Sequence, residues 1–169
     1  GRGGAGEVRD VWEAFRRRFR WVCGVAGNHD AFGSPAEARA FEAGEGVHYL
    51  DGGARRIDGL TVAGLGGVIG SRGKPFRRPE ATYLQGVREL LGRQPDVLVL
   101  HECPHVGERG YRGSASLRRC LDESPPSLVV CGHCHWPHPG WADLPGGSQV
   151  VNTDGRVILG PGWTTQTLA

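Results

Sequence analysis

Three short strand-like runs, each followed at once by polar residues, constrain the fold of this chain more than any other feature. The runs lie at residues 21–26, 96–100 and 127–131. A helical pattern of apolar residues precedes each run, and the helices are predicted at about 7–19, 80–91 and 116–123. This alternation favours an α/β domain in which crossover helices join parallel strands. The polar residues after the runs would then meet at the carboxyl ends of the strands, where ligands collect in such sheets.

Shorter patterns predict most of the remaining elements. The sequence Ser-Pro-Ala-Glu at 34–37 carries an N-cap, a proline at the first helical position and a glutamate at the third. It predicts a helix that continues to about Phe41. A strand is predicted at 47–50. Hairpins are predicted at 55–63 and at 149–159, each around an Asp-Gly turn.

The composition fits one soluble domain and argues against several other classes of protein. The 169 residues are 38% apolar, which is enough for a core of ordinary size. A net charge of +2 is too balanced to indicate a nucleic-acid or membrane surface. The five cysteines are an odd number, and two lie inside apolar runs, so a disulfide framework is not expected. We therefore expect a reducing, cytoplasmic location.

The polar residues after the three runs include four histidines. Asn28, His29 and Asp30 follow the first run, His101 follows the second, and Gly-His-Cys-His at 132–135 follows the third. One histidine at such a place is more often structural than a ligand, but four together favour a site. Imidazole is a good ligand for Mn, Fe, Zn or Ni, and the glycine permits a tight turn. The sequence therefore predicts a metal site.

These motifs resemble those of a known family. Gly-Asn-His-Asp at 27–30, His101 with Pro104 close behind, and Gly-His-Cys-His at 132–135 occur in the order typical of the calcineurin-like metallophosphoesterase superfamily. The resemblance implies an α/β sandwich of two mixed sheets flanked by helices, with two divalent metal ions at its apex. It also implies hydrolysis of small phosphate monoesters or diesters.

The resemblance assigns metal-binding roles to four residues. Asn28, His101 and His133 would bind the second metal, and His135 would bind the first. The identity of the metals stays open among Mn, Fe, Zn and Ni. Two metals about 3.5 to 4 Å apart would acidify a bridging water and bind the phosphoryl oxygens, which suits attack on an anionic ester.

Two further residues receive catalytic roles from the resemblance. His29 would contact the substrate phosphate and protonate the departing oxygen, as a cationic imidazole can. Asp30 would orient that imidazole and favour its charged form. The alternative for Asp30 is that it closes the turn after His29 as a loop cap.

The chain departs from the family pattern in two ways. Cys103 lies where the family often has a proline, which is a small change. The family's Asp-x-His and Gly-Asp-x-x-Asp motifs, which supply the other metal ligands, occur nowhere in the sequence. We expect residues 1–169 to be one domain that lacks its first strand-helix-strand segment. Such a chain would bind metal poorly and turn over little, and its exposed edge would favour self-association.

Other functions stay open from the residues alone. Two Cys/His clusters suit a structural zinc module. They are His101, Cys103, His105 and Cys131, Cys134, His135. A non-catalytic member of the superfamily that acts as a binding domain is the second alternative. The oligomeric state cannot be inferred from these residues.

The glycine-rich, basic stretch at 64–79 is predicted to be a loop. It lacks the Gly-Lys-Ser/Thr ending of a phosphate-binding loop, so a nucleotide cradle is not favoured. Guanidinium groups suit phosphate. Six basic or imidazole side chains are candidates to border the pocket and favour phosphate-rich substrates: Arg72, Lys74, Arg77, Arg78, His105 and His138.

Overall fold

A six-stranded mixed sheet lies at the centre of the computed structural model, which describes residues 6–74, 76–107 and 110–158. In chain order the described elements are β1 (Gly6–Glu7), α1 (Arg9–Arg16), β2 (Val22–Gly24), β3 (Asp30–Ala31), α2 (Pro35–Glu42), β4 (Val47–Tyr49), β5 (Gly53–Ile57), β6 (Leu60–Leu65), β7 (Val68–Ile69), β8 (Arg77–Arg78), α3 (Glu80–Leu91), β9 (Val97–Leu100), α4 (Ala115–Glu123), β10 (Leu128–Cys131), β11 (Trp141–Asp143) and β12 (Gln149–Asn152). The strand order of the central sheet is β11-β12-β10-β9-β6-β5.

The four inner strands of this sheet are parallel, and their register brings their carboxyl ends to one edge. Leu65 pairs with Leu100, and Cys131 pairs with Asn152. Helices α3 and α4 make the crossovers from β6 to β9 and from β9 to β10, as the alternation of helix and strand predicts. Strands β5 and β11 are antiparallel to their neighbours and lie at the two edges. Residues that follow β6, β9, β10 and β12 therefore share one edge of the sheet.

The main hydrophobic core lies between the central sheet and helices α3 and α4. Leu98, Leu100 and Val129 belong to this core and are at most 2% exposed. Trp136 and Tyr111 stack in the same core with ring centroids 4.5 Å apart. Burying a large apolar side chain contributes about 1.5–3 kcal/mol. This layer, which holds most of the buried apolar residues, therefore contributes most to hydrophobic stabilisation.

A second, smaller sheet packs on the central sheet away from that core. Its two described strands, β2 and β4, are parallel. Cys23 and Val25 of this layer pack around the same small core as Val97 and Val99 of β9. The first strand-like run of the sequence therefore lies against the second, in a different sheet.

Helices α1 and α2 complete the fold beyond the smaller sheet. Trp12 of α1 and Phe41 of α2 meet edge to face, with ring centroids 5.3 Å apart. Phe32 and Val47 are buried in the same cluster. The layers therefore run helix, sheet, sheet, helix, which confirms the predicted α/β sandwich.

Local sequence signals place the helices well. Ser34 caps α2, since its side chain accepts from the Glu37 N–H at 3.4 Å and the Glu37 carboxylate accepts from the Ser34 N–H at 2.8 Å. Helix α3 has the predicted bounds, whereas α1 is shorter than predicted and ends at Arg16. None of the described helices combines the length and the apolarity that crossing a membrane requires.

Two predicted elements need correction. Part of the predicted loop at 64–79 is strand, because β6 continues to Leu65 and the two-residue strands β7 and β8 pair in parallel. The predicted hairpin at 149–159 is wrong in its second strand. The antiparallel partner of β12 is β11, which precedes it, whereas residues 156–158 form no strand and Val157 is 76% exposed. Leu159 lies outside the described residues.

Candidate metal centre

Three chain segments bring side chains together at the carboxyl edge of the sheets. Asn28 follows β2, His101 follows β9 directly, and His133 comes two residues after β10. The Asn28 Oδ1 lies 3.0 Å from the His101 Nε2, and the His101 and His133 rings have centroids 5.2 Å apart. Three of the four predicted metal ligands therefore meet.

A glycine lets the two sheets approach each other at this point. A Cβ on Gly27 would lie 2.9 Å from the His101 Cε1, a spacing that real Cβ atoms do not show. Immediately before it, the Ala26 carbonyl accepts a hydrogen bond from the Gly67 N–H at 2.9 Å. Gly67 follows β6, so this bond ties the Asn28 segment to the central sheet. The glycine of Gly-Asn-His-Asp thus makes room for the ring of a metal-ligand candidate.

The environment of His101 keeps its imidazole neutral. Burial is the chief cause and, with the nearby His133, lowers the pKa of His101 to about 4, against an opposing effect of Asp30 and Asp154. Close to neutral pH the ring therefore carries a free lone pair, as a metal ligand must. His29 also acts on His101 electrostatically. Four neighbouring ionisable side chains thus act on His101 at this edge.

His29 and Asp30, the predicted catalytic residues, lie at the rim of this cluster. The His29 residue is exposed, and its backbone carbonyl accepts from the Gly6 N–H at 2.8 Å. The Asp30 carboxylate accepts from the Gly27 N–H at 2.7 Å, which closes the turn as the loop-cap alternative predicts. Among the described residues it makes no ion pair with His29, so its orienting role stays a prediction.

His135, the fourth predicted ligand, contacts Asp154, a residue that the sequence analysis did not identify as part of the site. Its Nδ1 is 3.4 Å from the Asp154 Oδ2, and its side chain is 79% exposed. Asp154 follows β12 by two residues, and its N–H donates to the Asn152 Oδ1 at 2.8 Å. The sequence pattern alone places Asp154 in a hairpin turn. Only the parallel pairing of β12 with β10 reveals that it belongs to the same edge.

The basic side chains proposed for the pocket border fall into two groups. Arg78 is already engaged, since its Nη2 donates to both carboxylate oxygens of Asp51, at 2.6 and 2.8 Å. Arg72 and Lys74 are exposed, in the connection that leads from the carboxyl edge of β6 into β8. His105 and His138 are exposed too.

The donor set fits one divalent metal. An amide oxygen and two imidazoles are suitable ligands for a first-row transition metal. The described residues contain no group of three His, Cys, Asp or Glu side chains that could hold a metal ion, so a metal bound here would also need Asn28 as a ligand. The same finding leaves the structural zinc module without support in the described part of the chain.

Comparisons with known proteins bear on the family and the fold of the chain. A model of the calcineurin-like phosphoesterase family matches residues 3–137. The crystal structure of TT1561 of Thermus thermophilus shares the fold with a TM-score of 0.64 and 21% identity, over 86% of this chain and 70% of that one. A hypothetical protein from the same organism has a TM-score of 0.53 and 18% identity, over 91% of this chain and 61% of that one.

The comparison with curated proteins gives no match. The two solved structures are too distant in sequence to show more than the fold. The family model spans well over half of the chain and includes all three motifs that carry the resemblance. The chain therefore belongs to the calcineurin-like phosphoesterase family, a family of metal-dependent phosphoester hydrolases.

Proposed function

We propose that this chain takes part in metal-dependent hydrolysis of phosphate esters at the edge where Asn28, His101 and His133 meet. The observation that supports this most is the 3.0 Å contact between the Asn28 Oδ1 and the His101 Nε2, because it joins two motifs 73 residues apart. A divalent metal held by these residues would neutralise phosphate charge and acidify a bound water. His135 is the proposed ligand of a second metal.

The role of His29 follows from its place next to a proposed ligand. It adjoins Asn28 in sequence, is exposed to solvent and acts electrostatically on His101. An exposed imidazole can carry a proton to the leaving oxygen of an ester bound at this edge. Asp30 fixes the backbone turn that presents His29, and we propose that it also orients the ring.

The proposed substrate class is a small, phosphate-rich ester. Arg72, Lys74 and Arg77 make no ion pair among the described residues, whereas Arg78 is paired with Asp51. Cations in the segment after β6 that form no ion pair with a described residue would attract an anionic substrate to this edge. Arg72→Ala and Lys74→Ala should therefore weaken binding of a diphosphate ester more than that of a monophosphate ester.

Hydrolysis of nitrophenyl phosphate esters tests the proposal. The purified chain should show a slow release of nitrophenolate that requires Mn²⁺ and disappears in His133→Ala and His101→Ala. His48→Ala, which changes a half-buried histidine of β4 outside the proposed ligands and the proposed pocket border, is the control and should keep the rate. A rate that is equal in wild type and His133→Ala, or no metal-dependent rate at all, would contradict the proposal.

The leaving group tests His29 separately. His29→Ala should slow an alkyl phosphate ester by about 10²–10⁴-fold, the usual contribution of a general acid. An activated aryl ester needs little protonation and should lose much less. Equal losses on the two esters would refute the role of proton donor.

A non-catalytic binding domain is the second candidate. The observation that favours it is the absence of both Asp-x-His and Gly-Asp-x-x-Asp from the sequence. Saturable binding of phosphate that depends on Mn²⁺, without any turnover, would support this candidate over the hydrolase.

A further inference from the structure

Glu102 is a buried carboxylate that the proposed hydrolysis does not use. It follows His101 at the carboxyl edge of the central sheet and is 7% exposed. Burying a carboxylate is costly unless its oxygens accept hydrogen bonds. The Glu102 Oε2 accepts from the Ile69 N–H at 3.0 Å, and the side chain forms no ion pair with a described residue. The carboxylate is therefore directed at the backbone of β7.

Strand β7 begins the segment that carries the basic side chains of the edge. We call residues 69–74 and 76–78 the basic arm, and Arg72 and Lys74 are its exposed cations. Strands β7 and β8 pair in parallel, and the Gly70 N–H donates to the Arg78 carbonyl at 2.8 Å. These bonds join the two ends of the arm to each other. Its place on the sheet depends on contacts with other segments.

Two side chains from outside the basic arm hold its two ends. Glu102, after β9, holds Ile69 at the first end. Asp51, after β4, accepts from the Arg78 Nη2 at 2.6 and 2.8 Å at the other end. The Asp51 side chain is partly open to solvent, whereas Glu102 is buried, and a hydrogen bond is electrostatically stronger inside a protein than in water. Glu102 is therefore the buried anchor of the arm.

We propose that Glu102 is a positioning residue that holds the basic arm at the candidate metal centre, so that Arg72 and Lys74 bind the second phosphate of a diphosphate substrate. This inference rests on the substrate class proposed above. Glu102 directly follows His101, so one short segment sets the position both of a metal-ligand candidate and of the arm. Glu102 acts through the backbone of Ile69 and not through contact with substrate.

Two substitutions separate the hydrogen bond from the size of the side chain. Glu102→Leu fills a similar space but leaves the Ile69 N–H without its acceptor. An N–H that loses its partner in a buried place costs free energy, so the start of the arm should leave its position. Glu102→Gln has the same length as glutamate and keeps an acceptor oxygen. It should therefore retain the contact in weaker form.

Hydrogen exchange of the Ile69 amide tests the contact without metal or substrate. The amide should be protected in wild type and should exchange about tenfold faster or more in Glu102→Leu, as expected for the loss of a hydrogen bond to a charged acceptor. Glu102→Gln should keep most of the protection. An Ile69 amide that is unprotected in wild type, or that exchanges equally in wild type and Glu102→Leu, would overturn the proposal. The wild-type result decides even where a variant fails to fold.

Asp96→Leu is the matched control, because it removes a similar contact at the opposite end of the sheet. The Asp96 Oδ2 accepts from the Thr61 N–H at 2.7 Å, just before β9 begins. This variant should free the Thr61 amide. It should leave the exchange of the Ile69 amide as in wild type.

Calorimetric binding of inorganic pyrophosphate and inorganic phosphate in the presence of Mn²⁺ tests the role of the arm. Glu102→Leu should weaken pyrophosphate binding as much as Arg72→Ala does and phosphate binding much less. Glu102→Gln should restore most of the loss, and Asp96→Leu should bind both anions as wild type does. Equal losses for both anions would mean that Glu102 acts through His101, which would overturn the proposal. A wild-type chain without preference for pyrophosphate would contradict the proposed substrate class, whereas an unprotected Ile69 amide contradicts the role of Glu102 alone.

Discussion

The two helical layers of the sandwich differ sharply in how well they are packed. Helix α3 buries five side chains against the central sheet: Tyr83, Leu84, Val87, Leu90 and Leu91. Helix α1, on the other side, has no buried residue, and its Val11 and Phe15 are 55% and 45% exposed. The candidate metal centre lies between these two sides of the sandwich. His101 and His133 follow strands of the central sheet, which α3 covers well, whereas Asn28 follows β2 of the smaller sheet, on the side of α1.

This difference indicates where the site is rigid and where it can open. Segments with few buried contacts have low free energies of local opening. The turn at 27–30 relies on the Asp30 carboxylate and on the bond between Ala26 and Gly67 to hold its position. We therefore expect the Asn28 side of the centre to be the more mobile, and a bound metal would tie it to the rigid side.

The largest expected effect tests the contrast in packing directly. Leu90→Ala on α3 should lower the free energy of unfolding by about 2–5 kcal/mol, because Leu90 is 1% exposed in the main core. Val11→Ala on α1 should change it by less than about 0.5 kcal/mol, as for other exposed positions. Urea unfolding of both variants measures the difference. Similar losses would show that α1 is as well packed as α3.

An intermediate effect on the free energy of unfolding is expected at Gly27, where the smaller sheet approaches the central sheet. Gly27→Ala should lower the free energy of unfolding by about 1–3 kcal/mol, because the added Cβ would crowd the His101 ring. It should also shift the His101 ring signals in NMR spectra. Gly53→Ala is the matched control, since a Cβ there meets nothing within 4 Å. If both variants are equally stable, the close approach at Gly27 is wrong.

A smaller, pH-dependent effect on stability is expected at the contact between helices α1 and α2. Glu37 caps α2 and pairs with Arg9 of α1 at 3.0 Å, and the Ser34 N–H and Arg9 lower the pKa of Glu37 to about 2. A carboxyl whose pKa falls on folding stabilises the folded state above its ordinary pKa and loses this effect as pH falls through the folded value. Glu37→Gln should therefore be less stable than wild type at pH 7.

The difference should shrink between pH 4.5, the ordinary value, and about pH 2. Thermal unfolding across this range measures it, with Glu42→Gln at the other end of α2 as the control. A difference that stays constant with pH would mean that Glu37 acts through its shape and not through its charge.

Local signals in the sequence were enough to predict where two of the candidate ligands lie. His101 directly follows an apolar run and His133 comes two residues after another, and both runs form parallel strands. The capping motif at Ser34 sets the start of α2. These features depend on short stretches of chain. Hydrophobic pattern and cap chemistry therefore determine them before any tertiary contact forms.

Features that depend on distant pairing could not be predicted in this way. Asp154 reaches the edge only because β12 pairs in parallel with β10. The antiparallel partner of β12 is Trp141–Asp143, a stretch without a clear strand pattern. Asn152 is a single buried amide whose three contacts come from three loops. The turn contact of Asp30 competes with its proposed catalytic role, and sequence alone left both open.

Paramagnetic broadening by Mn²⁺ tests most directly whether Asn28, His101 and His133 form one metal centre. The NMR signals of the Asn28 side-chain amide and of the His101 and His133 rings should broaden first in a titration, even if binding is weak. The ring signal of His48 should broaden last. Broadening that is uniform over all histidines, or strongest at His48, would contradict the account.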